Sequence, residues 1–350
     1  MMKNKRLIRV IGFVLSAVLI ASLTACGDAA SSGGGTSAPQ VSAQELTYQI
    51  TVPPGTSIDK GARLFADLVK ERTDGRYTIE VFNSSSLSSG DIAKGIEMTQ
   101  KGSITFCHSP VSLLSSFDPS FAAIILPWVW KNDEIIDKTL SLGSDVGKML
   151  QGMMEENDMH IFGFVELGWK QISNGKREIT KPEDLKDLKI RVISQMATDT
   201  YGCWGVNCTN ITYSELFTAL QQGAVDGQEN PVVSTIYADK LYEAQKYITM
   251  WDATYEPQFC YTNKAFWDSL SEADKAVFTD ACTEAMNFIK TDQRAQEPEA
   301  IADIESTGVK FYYLSDAEKA VFRESVQPVY DKWLPTLDPA LTNAILDANK

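Results

Sequence analysis

From Tyr48 onward, short apolar runs with a two-residue period alternate with longer runs in which apolar residues recur every three or four positions. That alternation restricts the chain to the α/β class, because strands joined by helices of this length line up in a sheet with the helices packed over it. Residues 48–52 read as a strand, and the turn Pro53-Pro-Gly-Thr56 leads into a helix with Ile58, Ala62, Phe65 and Val69 on one face. Tyr77, Ile79 and Val81 mark the next strand. A helix over about 90–100 then precedes a strand at 104–107 that runs into a loop at His108-Ser-Pro110. Helices at 134–140 and 146–157 lead to a strand at 160–165, and further strands are predicted at 247–251 and 257–261. Residues 271–292 read as one long helix with Val277, Phe278, Ala281, Ala285 and Phe288 inward, and Ser315-x-x-Glu318 caps a last amphipathic helix. A chain of 350 residues, 44% hydrophobic, can hold a core large enough for two lobes.

The segment 181–231 carries the chemistry. Thr180-Lys-Pro-Glu183 predicts a capping box with a proline in the first turn, and Leu185, Leu188, Ile190 and Val192 lead into a buried strand. Arg191 is the odd member of that apolar run. A guanidinium fixed near a strand end can take a carboxylate through two parallel hydrogen bonds, a charge-assisted interaction worth roughly 1.5–3 kcal/mol. The alternative is a strand-end arginine paired with a surface carboxylate. Thr212-x-x-Glu215 predicts a second capping box, opening a helix whose stripe is Leu216, Ala219 and Leu220 and which Gly223 ends in a left-handed cap. Ala224-Val-Asp226 then enters the sheet. Gly227 permits a tight approach, and Gln228, Glu229 and Asn230 present polar side chains in a turn before Pro231 starts another helix. Such a strand-to-helix turn is a ligand-binding edge.

Three stretches within this region resemble the solute-binding proteins of tripartite ATP-independent periplasmic (TRAP) transporters, which include C4-dicarboxylate and sugar-acid binders. They are Pro182-Glu-Asp-Leu-Lys-Asp-Leu-Lys-Ile-Arg191, the run from Glu215 through Gly223-Ala-Val-Asp-Gly-Gln-Glu-Asn-Pro231, and Lys240-Leu-Tyr-Glu-Ala-Gln-Lys-Tyr247. Weaker likenesses at Phe65-Ala-Asp-Leu-Val-Lys-Glu-Arg-Thr-Asp-Gly-Arg76, Leu126-Pro-Trp-Val-Trp130 and Phe266-Trp-Asp-Ser-Leu270 extend it over nearly all of the chain after the leader. The resemblance implies a two-lobed Venus-flytrap fold, each lobe a mixed sheet flanked by helices, with a long helix bridging them. Residues 45–167 plus 255–290 would form lobe I, and 168–254 plus 291–340 lobe II. It also implies closure around a small organic acid that is delivered to TRAP membrane subunits, with no catalysis and no cofactor or metal. Carried over by position, Arg191 grips the carboxylate and Asn230 contacts it beside Glu229. Tyr213 lines the same cleft, His108 faces the ligand from a loop of the first lobe, and Lys170 is a second cation where the family more often has arginine. The tryptophans 128, 130, 169, 204 and 251 lie near predicted loops or strand ends, where they could present faces to a sugar ring or pack in the core.

The N-terminus constrains the compartment independently. Lys3, Lys5, Arg6 and Arg9 precede an apolar stretch over 10–23 that is too short to span a bilayer comfortably, the pattern of a secretion signal ending at residue 25. Its end, Leu23-Thr-Ala-Cys26, resembles a bacterial lipobox, which implies lipidation of Cys26 and anchoring on the outer face of the membrane or in the periplasm. Residues 26–44 read as a flexible Ser/Gly/Ala tether. Formal net charge is −14, and removing the leader's four basic residues leaves −18, which argues against nucleic acid as a partner. Of the five cysteines besides Cys26, at least one stays free. Cys203 and Cys208 could pair, although five positions apart on one helix is poor geometry for a disulfide. Two histidines, and no Gly-x-Ser-x-Gly, phosphate-loop or His-Glu-x-x-His motif, argue against hydrolytic chemistry. A monomeric sensor that presents an acid to a membrane receptor is the rival that the sequence leaves open.

Overall fold

The computed structural model describes residues 43–350, and there the alternation resolves into strands and helices in the expected rhythm. The first half of the chain runs β1 (Gln44–Gln49), α1 (Ser57–Arg72), β2 (Tyr77–Phe82), α2 (Ile92–Gln100), β3 (Phe106–Pro110), α3 (Val111–Leu114), α4 (Asp133–Thr139), α5 (Asp145–Glu156) and β4 (Met159–Asn174). The second continues with β5 (Lys189–Val192), α6 (Gln195–Gly202), β6 (Asn207–Asn210), α7 (Tyr213–Gln221), β7 (Gly227–Pro231) and β8 (Tyr247–Asn263). It ends with α8 (Lys264–Ser269), α9 (Glu272–Ser306), β9 (Lys310–Tyr313), α10 (Asp316–Ser325), α11 (Gln327–Trp333) and α12 (Pro339–Ala348). The leader, Cys26 and most of the tether lie outside the described residues.

All nine strands belong to one mixed sheet, in the order β2-β1-β3-β8-β4-β7-β5-β6 with β9 beside β8. Its spine is the antiparallel pair β4 and β8, matched from Met159 against Asn263 to Asn174 against Tyr247. At one end β3 pairs with residues 258–262 of β8 and carries β1 and β2; at the other, β7 pairs with 170–174 of β4 and carries β5 and β6. The outcome is the two-lobed α/β fold, with helices flanking a mixed sheet on each side of a shared ribbon. Helix α9 bridges the halves, contacting α1 in one and the π-helical turn Val232–Tyr237 in the other.

Local chemistry accounts for these elements. The Thr56 hydroxyl accepts the Asp59 N–H at 3.2 Å and starts α1, whose stripe Ile58, Ala62, Phe65 and Val69 is fully buried as the spacing predicts. The opposing face of α9 supplies Phe278, Ala281, Ala285 and Ile289, and burying each large member contributes about 1.5–3 kcal/mol. Gly61 lets the helices close: a Cβ there would stand 2.2 Å from Ile289 Cγ1. Helix α9 runs 35 residues, past the predicted stop at 292, and Phe288 is 37% exposed rather than inward. The predicted strands 160–165, 247–251 and 257–261 are parts of β4 and β8, each longer and unbroken. The box expected from Thr180 and Glu183 is replaced by a 3-10 turn at Pro182–Leu185, where Asp184 accepts from the Thr180 N–H at 2.9 Å and the Lys181 N–H at 3.1 Å. Ser315 and Glu318 do form the capping box of α10.

Candidate functional site

A cavity of about 280 Å³ opens between the two halves, at the carboxyl ends of β3, β5, β6 and β7. Four of the residues singled out from sequence line it, brought together from β4, β5, β7 and the start of α7.

Arg191 is the third residue of β5, in register with Gln228 of β7, so its side chain shares a face with Gln228 and, two residues on, Asn230. It is 4% exposed, yet its only side-chain hydrogen bond within the described residues runs from Nε to the Ile211 carbonyl, at 2.9 Å. Its two terminal nitrogens have no protein partner there, and no carboxylate lies within salt-bridge range. Burial pushes its pKa down to about 10, with the charge interaction with Tyr213 acting in the opposite sense; the Tyr213 ring centroid lies 5.9 Å from the guanidinium carbon. The group therefore remains a cation at neutral pH, buried and without a counter-charge. The surface-carboxylate alternative does not describe it.

Lys170, on β4, lines the same cavity but is not free. Its ammonium lies 2.6 Å from Glu256, which is completely buried and also accepts the Ser112 N–H at 2.9 Å and the Ser112 hydroxyl. Burial works against the lysine's charge, but Glu256 and then Glu229 outweigh it and hold its pKa above the ordinary value. Glu229 projects from the opposite face of β7 to Asn230, into a space of about 20 Å³ behind the main cavity that Lys170 also borders. Its carboxyl is raised to about 7 by burial, with Lys170 opposing and Glu256 adding to the rise.

Asn230 lines the cavity and donates Nδ2 to Gln228 Oε1; Gln228 in turn donates to Ser173 Oγ at 2.7 Å. The sequence placed 228–230 in a turn, but they are the strand β7 itself, and the alternation of that strand is what separates Asn230 from Glu229. Tyr213, first residue of α7, lines the cavity and donates its hydroxyl to Asp239. His108 lies elsewhere. The expected loop is strand β3, and the imidazole is buried one layer behind the wall, where Nε2 accepts the Thr51 N–H at 3.3 Å and Nδ1 meets the Tyr48 hydroxyl at 3.2 Å. Burial drives its pKa down to about 3, so it is a neutral prop for Thr51, which does line the cavity.

Glu256, Gln258, Thr51 and Asn210 also line the cavity and were not singled out from the sequence. Glu256 carried a readable signal: like Arg191 it is a charged residue inside a strand run, hidden because 252–256 were read as a connection. None of the five tryptophans lines the main cavity. Trp128, Trp204 and Trp251 pack edge-on or tilted against one another and Phe322, with ring centroids 5.6–6.5 Å apart. Cys203 follows α6 while Cys208 sits in β6, so they do not share a helix, and both are free thiols. Among the described residues no group of three potential ligands is placed to hold a metal ion, and no helix is long and apolar enough to cross a membrane.

Comparison with known proteins places this geometry in context. The model of the family described as bacterial extracellular solute-binding protein, family 7, matches residues 48–336. The C4-dicarboxylate-binding protein DctB of Bacillus subtilis is 28% identical over 305 residues, covering 87% of this chain and 86% of its own. Two solved structures superpose closely. One is a TRAP periplasmic solute-binding protein from Ralstonia eutropha with bound (S)-2-acetolactate (TM-score 0.81, 31% identity, 87% of this chain and 98% of that one). The other is the sugar-acid-binding protein of Advenella mimigardefordensis in complex with galactonate (TM-score 0.83, 27% identity, 88% and 98%).

Proposed function

The chain belongs to family 7 of the bacterial extracellular solute-binding proteins, and from that premise we propose that it captures a small organic acid outside the cytoplasm and delivers it to TRAP membrane subunits. Arg191 is the anchor: it grips the ligand carboxylate, with Asn230 beside it and Tyr213 forming the adjoining wall. The observation that carries this reading is the buried guanidinium whose terminal nitrogens face no protein acceptor. Leaving a charge desolvated and unpaired is costly, and an incoming carboxylate removes that cost. The acids held by the Ralstonia and Advenella proteins support the ligand class.

In this reading Cys26 carries the lipid, residues 26–44 are the tether, and the domain works as a monomer on uptake driven by an ion gradient. Lobe I comprises 45–167 plus 255–290, and lobe II 168–254 plus 291–340. The boundary at 167/168 falls where the β4–β8 register shifts between Glu166 and Gly168, and Gly168 there has a φ of +123°. Binding occurs without turnover. Ser112 Oγ lies 3.3 Å from Lys170, but that lysine is held protonated and cannot act as its base. A thermal-shift screen against sugar acids and short carboxylic acids tests the proposal, since a ligand at 100 times its Kd stabilises the fold by about 2.7 kcal/mol. Calorimetry of the hits should give one-to-one binding; steady release of an altered product, or hits whose affinity ignores Arg191→Met, refutes it.

A further inference from the structure

Two cations border the cavity, and only one is available to a ligand. Lys170 is 2.6 Å from Glu256, with Glu229 as a second carboxylate bordering the space behind it. A third acid, Asp91, also lines the cavity. The remaining polar lining is neutral, from Thr51, Asn210, Thr212, Asn230, Thr235 and Gln258. Gln258 is buried and donates Nε2 to Thr51 Oγ1 at 3.2 Å.

We infer that Glu256 determines specificity, and that the site takes a hydroxylated monocarboxylate in preference to a dicarboxylate of the same length. Building on Arg191 as the carboxylate anchor, the inference concerns the other end of the ligand. A second carboxylate would be desolvated beside Glu256 with no free cation to meet it, whereas hydroxyls find neutral polar groups already in place. Selectivity here comes from a carboxylate that occupies the lysine before the ligand arrives. It is therefore a property of this chain and does not follow from the family, which includes a relative named for C4-dicarboxylates.

The test is calorimetry with pairs of acids matched in carbon number: D-erythronate against succinate, and D-galactonate against galactarate. The wild-type protein should favour the monocarboxylate of a pair by about tenfold or more. The Glu229→Gln/Glu256→Gln variant frees Lys170 and should shift the ratio toward the dicarboxylate by about tenfold. The Lys170→Gln/Glu256→Gln variant removes the cation together with its partner and should keep the wild-type order. Equal or tighter binding of the dicarboxylate by the wild type overturns the inference, as does an unchanged ratio in the Glu229→Gln/Glu256→Gln protein. The wild-type ratio decides even if a variant fails to fold. Arg191→Met separates the two levels: if dicarboxylates win and this substitution still abolishes binding, the anchor stands and only the specificity inference falls. If it leaves binding intact, the anchor itself falls.

Discussion

Replacing Arg191 with methionine should move binding and stability in opposite directions. On the ligand side, two charge-assisted hydrogen bonds disappear and the acid is left desolvated in the cavity, a loss of about 2–5 kcal/mol or roughly 30- to several-thousand-fold in Kd. On the protein side the same change is a relief. Burial holds the guanidinium at a pKa of about 10, more than two log units below its ordinary value, which corresponds to a penalty of about 3 kcal/mol on the charged form. The single bond to the Ile211 carbonyl and the contact with the Tyr213 ring are lost with it, together about 1–2 kcal/mol. The ligand-free variant should therefore be about 1–2 kcal/mol more stable than the wild type, raising Tm by a few degrees in a domain of this size. Differential scanning fluorimetry with and without saturating acid reads both effects in one experiment. The variant should start higher and show no ligand-induced rise. A fall in the ligand-free Tm, together with less than tenfold loss of affinity, would refute the reasoning, because the guanidinium would then be a structural partner already satisfied by the protein.

Lys170→Met should behave in the contrary way. It leaves Glu256 buried without a cation and should destabilise the fold by about 3–5 kcal/mol in urea melts, while Lys170→Met/Glu256→Met recovers most of that loss. Glu229 has a folded-state pKa near 7, above its unfolded value of about 4.3, so it binds more protons folded than unfolded. Its contribution is full below about pH 4 and lost as pH rises through about 7. Against Glu229→Gln, the wild type should therefore lose up to about 3 kcal/mol of relative stability between pH 4 and pH 8, measured by denaturant titration at each pH. Gly227→Ala should cost about 2–3 kcal/mol and weaken acid binding, since a Cβ there would sit 2.3 Å from the Ser173 carbonyl oxygen and push β7 off β4. Gly223→Ala, in open space at a φ of +69°, should cost only about 1 kcal/mol and leave binding unchanged.

Much of this was readable from residue types and spacing because those parts depend on local rules. The stripe of α1, the capping box at Ser315 and the helix ended by Gly223 need only their own neighbours. Arg191 was legible for a similar reason: a lone charge in a strand pattern asks for a partner wherever the strand ends up. What escaped was set by pairing between distant segments. Residues 252–256 contain Asp252 and Glu256 and look like a connection, but β4 lies alongside and supplies ladder partners for Thr254, Tyr255 and Glu256. The same pairing turns 228–230 from a turn into a strand, and strand alternation then sends Glu229 behind the cavity. His108 was misplaced for the same reason, since pairing with Cys260 of β8 draws it into the sheet. The partner of Lys170 is 86 residues away along the chain, and no periodicity reports such a distance.

The passage of β4 and β8 through both halves bears on how the protein can move. Two domains joined by slack loops swing freely and resist nothing until they collide. Here the halves share a hydrogen-bonded ladder of two long strands, so any rotation of one against the other has to pass through that ladder and the places where its register shifts, a tighter constraint than a loop would impose.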